Sequence, residues 1–183
     1  MRITKNALLS MSAITLFGFS GLSYLILSFS EVSYFDMFDY QNLLTSIPVG
    51  LAFGAVAAFL GILILKLPIL KDTEDFYAQL FKDVDLDLGD ILFYSLCAGV
   101  GEEILFRGTL QPLMGLWWAA ILFVILHGYI SFNDWKKSIY GVFLILISAG
   151  FGYLTQYFDL FSAMAAHFIY DVIMFLRLRS KAN

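Results

Sequence analysis

Charge is scarce in this sequence. Asp, Glu, Lys and Arg make up 14% of its 183 residues, against about 25% in an ordinary globular chain. Cysteine occurs once, at Cys97, which excludes an intrachain disulfide and any Cys-x-x-Cys metal site. Cys97 lies in an apolar run and reads as a buried structural thiol. Proline occurs three times and glycine fourteen times, which excludes collagen-like and Pro/Gly-rich disordered chains. A net charge of −4 offers no basic surface, so nucleic acid is not an expected partner. What is abundant is apolar. Hydrophobic residues make up 60% of the chain, nineteen of them Phe, and the mean hydropathy is +0.81. A soluble domain of this size could not enclose that much apolar surface in one core. The chain reads as an all-α, polytopic membrane protein.

A helix needs about 20 apolar residues to span the hydrocarbon core. Charge-free or nearly charge-free runs predict six transmembrane helices, at 7–29, 47–67, 90–111, 113–131, 138–156 and 159–177. They form one bundle and a single domain over 1–183, with the chemistry-bearing motifs inside 90–177. The apolar run of the first span is longer than a signal-peptide core and no A-x-A-like site closes it, so it reads as an uncleaved anchor. In the second span Gly50, Gly54, Ala57 and Gly61 align on one face as a close-packing seam. Between the second and third spans, Phe76, Tyr77, Leu80 and Phe81 recur at helical spacing in an acidic stretch. A short interfacial helix and a solvated linker fit that pattern equally.

Orientation follows from the basic residues. With a cytoplasmic N-terminus, Arg2, Lys5, Lys66, Lys71, Lys82, Lys136, Lys137, Arg177, Arg179 and Lys181 all fall on the inner side, ten of the eleven. Only Arg107, within the third span, is left over. Both termini are therefore expected in the cytoplasm, with the protein in the inner (cytoplasmic) membrane.

The third span carries Glu102, Glu103 and Arg107 within six positions, where each mid-bilayer charge costs about 2.5–3.5 kcal/mol. Glu103 and Arg107 are four apart with the acid first, the favourable order for an ion pair on one helix face. Glu102 points about 100° away and is left to face something else. The two histidines of the chain, His127 and His167, both fall in predicted spans, and His167 shares a helix face with Asp171. These groups could simply join helices or line a solvated helix end. Ionisable residues inside a bundle otherwise mark reaction sites or ion paths. A carboxylate beside an imidazole can take a proton from water while the imidazole orients the nucleophile. A second His, fixed by an Asp, can donate to an oxyanion. The motifs G-x-S-x-G and H-E-x-x-H are absent. No cofactor is expected. A divalent metal such as zinc, held by Glu102, His127, His167 and Asp171, is the less favoured alternative to metal-free water activation.

In these residues the sequence resembles the CAAX protease and bacteriocin-processing (Abi) family of glutamic intramembrane proteases. Its three motifs occur in order: "EEILFR" (Glu102, Glu103, Arg107), "FVILH" (Phe123, His127) and "HFIYD" (His167, Asp171). The resemblance covers the third to sixth spans. It implies an intramembrane endopeptidase in which Glu102 and His127 activate water. His167 and Asp171 would complete the site and stabilise the oxyanion, and Glu103 and Arg107 would support the catalytic glutamate. Asp171 stands where the eukaryotic members carry Asn.

The expected substrate is a peptide or protein at the bilayer, such as a leader peptide or a C-terminal sorting helix. One alternative is a non-catalytic bacteriocin-immunity or scaffold protein that keeps the pocket. Another is a proton-coupled transporter, against which the lack of a broken-helix repeat argues. The peptidase reading requires Glu102, His127 and His167 to converge on one water-accessible cavity, within about 4–7 Å of one another. Arg107 should lie nearer Glu103 than Glu102. The predicted span limits, however, separate Glu102 and His127 by about 10 Å in depth.

Overall fold

The computed structural model describes residues 4–81, 84–131 and 134–182. Arg2 and Lys82, two of the basic residues used for orientation, lie outside the described residues. Among those described the chain is helical, without strands. Helix α1 is Lys5–Leu27, α2 Leu43–Leu65 and α3 Lys71–Phe81. Helix α4 runs over residues 88–114 and α5 over Leu116–Leu126. Helices α6 (Trp135–Tyr157) and α7 (Leu160–Ala182) complete the bundle.

Four of these helices, α1, α2, α6 and α7, are long and apolar enough to cross a membrane, and they coincide with the first, second, fifth and sixth expected spans. The other two spans need correction. The third expected span is longer than 90–111 and changes character along its length, because residues Ile104–Leu110 form a π-helical stretch inside α4. The fourth, expected over 113–131, is a helix of only eleven residues. At 1.5 Å per residue it rises about 16 Å, roughly half the hydrocarbon thickness. Its end has a local cause. His127 is the C-cap, Gly128 follows at φ +70°, and the backbone N–H groups of Gly128 and Tyr129 donate to Ile125 and Val124. This is the left-handed glycine stop of a Schellman motif. Gly115, at φ +89°, makes the turn between α4 and α5, where a side chain would be strained.

The glycine seam of α2 is present, with Gly50, Gly54, Ala57 and Gly61 all buried. A Cβ at Gly50 would lie 2.1 Å from the Ser162 carbonyl oxygen, and one at Gly54 would lie 2.0 Å from that of Ala166. No side chain fits there, so the backbones of α2 and α7 touch. On the other side of α7, Gly99 of α4 lies against Met164 and Phe168. Helix α7, which carries His167 and Asp171, is thus clamped between α2 and α4. Its N-terminus is capped by Asp159, which accepts from the Ser162 backbone N–H at 2.9 Å and from the Ser46 hydroxyl of α2. Cys97 is buried, as its apolar surroundings suggested.

Residues 71–81 of the acidic stretch after α2 form a helix, the secondary structure that the first of the two readings expected. Leu80 and Phe81 side chains lie outside what is described, while Phe76 and Tyr77 stack edge to face. Helix α3 is tied to the C-terminal part of α7 through Glu74 to Arg177 (2.9 Å) and Lys181 (2.5 Å), and through Asp75 to Lys181 (2.7 Å). The Lys181 ammonium holds the Asp75 carboxyl below the usual carboxylate range. Asp72 pairs with Lys136 at the start of α6 (3.0 Å), and Lys5 pairs with Asp90 at the start of α4 (2.5 Å). These pairs gather the basic residues of α1, α6 and α7 at one end of the bundle.

Candidate active site

The α4–α5 hairpin decides the geometry. Glu102 lies thirteen residues before Gly115 and His127 twelve after it. An antiparallel return therefore brings the two to the same level, just as it brings Phe106 of α4 against Phe123 of α5 (ring centroids 4.9 Å apart). The expected separation in depth is overturned: Glu102 Oε2 and His127 Nε2 are 3.4 Å apart. The expected span limits put the turn at residue 112, three residues before Gly115, and that shift carries His127 past its partner.

His167 of α7 enters the same space. Its Nε2 lies 3.8 Å from Glu102 Oε2 and 3.6 Å from Asp171 Oδ2, one turn along its own helix. Its Nδ1 lies 2.7 Å from Glu103 Oε1. The six residues singled out in the sequence thus form one connected cluster from three helices. The separations of Glu102 from both imidazoles are shorter than the 4–7 Å expected.

The division of labour between the two glutamates also has a structural basis. Glu103 is fully buried and Arg107 is 2% exposed. The Arg107 guanidinium donates to Glu103 Oε1 at 3.0 Å, so Arg107 serves Glu103 and not Glu102. Its other terminal nitrogen donates to the Ser148 carbonyl at 2.9 Å and to the Ser148 hydroxyl at 2.8 Å. The guanidinium lies 4.9 Å from the Phe123 ring centroid and 5.6 Å from that of Phe151, a cation–π arrangement with both rings. Phe151 also stacks on His167 at 5.5 Å. The π-helical stretch begins directly after Glu103 and includes Arg107, and π-bulges in α-helices concentrate at functional positions.

Hydrogen-bond logic fixes which ring nitrogens carry protons. The Phe123 carbonyl, 2.7 Å from His127 Nδ1, can only accept, so Nδ1 is the donor. In the neutral ring Nε2 is then a lone pair facing the Glu102 carboxylate. At 3.4 Å the two acceptors stand closer than the roughly 4–4.5 Å that a water donating one O–H to each would span, so a water that engages both sits beside the pair or widens it. Glu103 Oε1 already accepts from Arg107, and it accepts from His167 Nδ1 as well, which turns His167 Nε2 towards Glu102 and Asp171.

Glu102, His127, His167 and Asp171 all line a cavity of about 370 Å³ whose remaining walls are largely apolar, with Met11, Leu144 and Met174 among them. The cavity reaches Glu74 and Tyr77 of α3, and so extends from the cluster towards the end of the bundle where the basic residues collect. Among the described residues, no group of three or more His, Cys, Asp and Glu side chains has the arrangement of a metal site. Ser148, Phe151 and the Glu103–His167 bond were missed by the sequence reading. A serine and a phenylalanine in an apolar helix carry no local signal. Gly128, by contrast, was a legible helix stop.

Residues 85–173 match the family described as type II CAAX prenyl endopeptidase Rce1-like, a segment that contains the whole cluster. The chain is 36% identical over 90 residues to the uncharacterized protein YpbD of Bacillus subtilis (strain 168). That match covers 49% of this chain and 46% of the relative, so less than half the relative's length is represented. No solved structure matches the chain.

Proposed function

Residues 85–173, just under half of the chain, match the Rce1-like family of type II CAAX prenyl endopeptidases, and from that match we propose that this chain is a glutamic intramembrane endopeptidase. The observation that carries the reading is the Glu102 carboxylate set between two imidazoles, 3.4 Å from His127 and 3.8 Å from His167, in a cavity with apolar walls.

Water binds against Glu102 Oε2 and His127 Nε2, widening their 3.4 Å separation, and Glu102 takes its proton as the oxygen attacks the scissile carbonyl. The new C–O bond makes a tetrahedral oxyanion. His167, protonated on both nitrogens at this step, donates Nδ1–H to Glu103 and presents Nε2–H to the oxyanion, with Asp171 fixing the ring. Collapse breaks the C–N bond, and the proton held by Glu102 passes to the leaving amine. Arg107 keeps Glu103 oriented towards His167.

The apolar walls suit a hydrophobic peptide segment at the bilayer, such as a leader peptide or a C-terminal sorting helix. The Glu102→Gln protein keeps the cavity and lacks the base, so it should retain uncut substrate. Crosslinking followed by mass spectrometry should recover peptides from Glu102→Gln that the wild type has cleaved. A non-catalytic immunity or scaffold protein would keep its biological effect in Glu102→Ala, and that outcome would reject the peptidase reading.

Two further expectations belong to this reading. This reading takes water activation to be metal-free, so hydrolysis should persist within about twofold after exhaustive treatment with a strong chelator. A loss restored by zinc would move the mechanism to metal catalysis. The same reading takes both termini as cytoplasmic, and the collection of basic residues at one end of the bundle supports it. Reporter fusions after residue 183 should be active in the cytoplasm, and a periplasmic or extracellular signal would reverse the orientation.

A further inference from the structure

The peptidase motifs lie on α4, α5 and α7, and none lies on α6. Yet α6 places two side chains against the cluster, three residues apart and so on one helix face. Ser148 is 3% exposed and touches Arg107 through both its carbonyl and its hydroxyl. Phe151 closes the guanidinium on one side and stacks on His167. We propose that Ser148, with Phe151, is a positioning residue that sets the ring orientation of His167 through Arg107 and Glu103.

Arg107 has no acceptor capacity and five N–H donors in a rigid fork. One terminal nitrogen is committed to Glu103 Oε1 and the other to Ser148, so the two anchors fix the plane of the guanidinium between the Phe123 and Phe151 rings. Glu103 Oε1 is shared by Arg107 and His167 Nδ1, and the angle at which it meets the imidazole is therefore set from the Arg107 side. The other oxygen, Glu103 Oε2, is buried without a hydrogen-bond partner. No hydrogen bond on that side opposes a rotation of the carboxylate when the hold on Arg107 loosens.

The Ser148 hydroxyl is suited to this place because it is bonded in two directions. It accepts from Arg107 at 2.8 Å and donates to the Ala120 carbonyl of α5 at 3.4 Å. Ala120 is two turns before His127 on the helix that carries the second imidazole. One hydroxyl thus joins α4, α5 and α6 at the level of the cluster. Alanine would lose both hydroxyl bonds and leave this nitrogen of Arg107 the carbonyl of residue 148 alone, a looser hold on the plane of the guanidinium, whereas threonine keeps a hydroxyl that can accept and donate.

This inference rests on the peptidase reading for its importance to catalysis, but its test does not require a substrate. The chain contains two histidines, so selective ¹⁵N-histidine labelling of the full-length protein in micelles gives two sets of imidazole signals. In the wild type, His167 should show Nδ1 protonated, with the far-downfield proton of a bond to a carboxylate. In Ser148→Ala that proton signal should move upfield or broaden and the ring should populate both tautomers, while the His127 signals stay in place. Ser148→Thr should restore the wild-type pattern. Ser148→Cys, which keeps the volume but is a weak acceptor and donor, covers the case in which the alanine variant does not fold. It should behave as the alanine variant does.

With a cleavable peptide in hand, Ser148→Ala should lower kcat about tenfold and leave KM within twofold, since the effect falls on the reacting geometry. Unchanged His167 signals in folded Ser148→Ala or Ser148→Cys would overturn the positioning role. A wild type that cleaves nothing while its His167 signals respond as described would instead overturn the peptidase reading and leave the positioning role standing.

Discussion

Glu102→Gln is expected to lower the rate of peptide hydrolysis on the order of 10²- to 10⁴-fold, the range that a positioned general base contributes. The fold should survive this change. Glutamine has nearly the same shape as glutamate, and Glu102 has neither the arginine partner nor the complete burial that Glu103 has. Its contacts are to His127 Nε2 and His167 Nε2, at 3.4 and 3.8 Å, and an amide can meet both by rotating. What it cannot do is take a proton from water. Purification yield and thermal unfolding should therefore match the wild type while cleavage of any accepted peptide falls. Glu103→Gln should act differently, because it weakens the bond to Arg107 and the orientation of His167 together. If Glu102→Gln cleaves at more than about a tenth of the wild-type rate, Glu102 is not the base.

Arg107→Ala is expected to lower both the amount of folded protein and the activity of what remains. Removing the guanidinium leaves the Glu103 carboxylate fully buried with His167 as its remaining partner, since Glu103 Oε2 has none. Breaking a buried ion pair by deleting one member costs about 3–5 kcal/mol, a large share of the 5–15 kcal/mol by which a typical domain is stable. The truncation also empties the space between the Phe123 and Phe151 rings and frees the Ser148 hydroxyl and carbonyl. Arg107→Lys should not rescue it. A single ammonium cannot reach Glu103 and Ser148 in two directions as the planar fork does. Membrane-extracted yield, unfolding temperature and specific activity measured on the same preparations check the prediction. Wild-type yield and activity in Arg107→Ala would remove the ion pair from any account of the site.

Local physics made much of this protein legible from its residues alone. The scarcity of charge required a membrane, and apolar runs of sufficient length placed α1, α2, α6 and α7. The pairing of Glu103 with Arg107 follows from a four-residue spacing on one helix, and the glycine face of α2 follows from the same periodicity. Each of these depends on residues within a turn or two of one another, where the backbone geometry is known before the fold is.

The rest depended on where helices stop and how they are rotated against their neighbours. The turn at Gly115 and the stop at Gly128 decide that Glu102 and His127 meet at one level, and a shift of a few residues in either would part them by several ångströms. The bond from His167 to Glu103 joins residues 64 apart in sequence, and Ser148 reaches Arg107 across 41. Such contacts arise because α7 is held by backbone contact with Gly50 and Gly54 and because α6 turns one particular face inward. No spacing along the chain encodes either rotation, since the packing of whole helices selects it. The sequence by itself therefore determined which groups could do the chemistry, and the tertiary structure alone decided that they stand together and which of them holds the others in place.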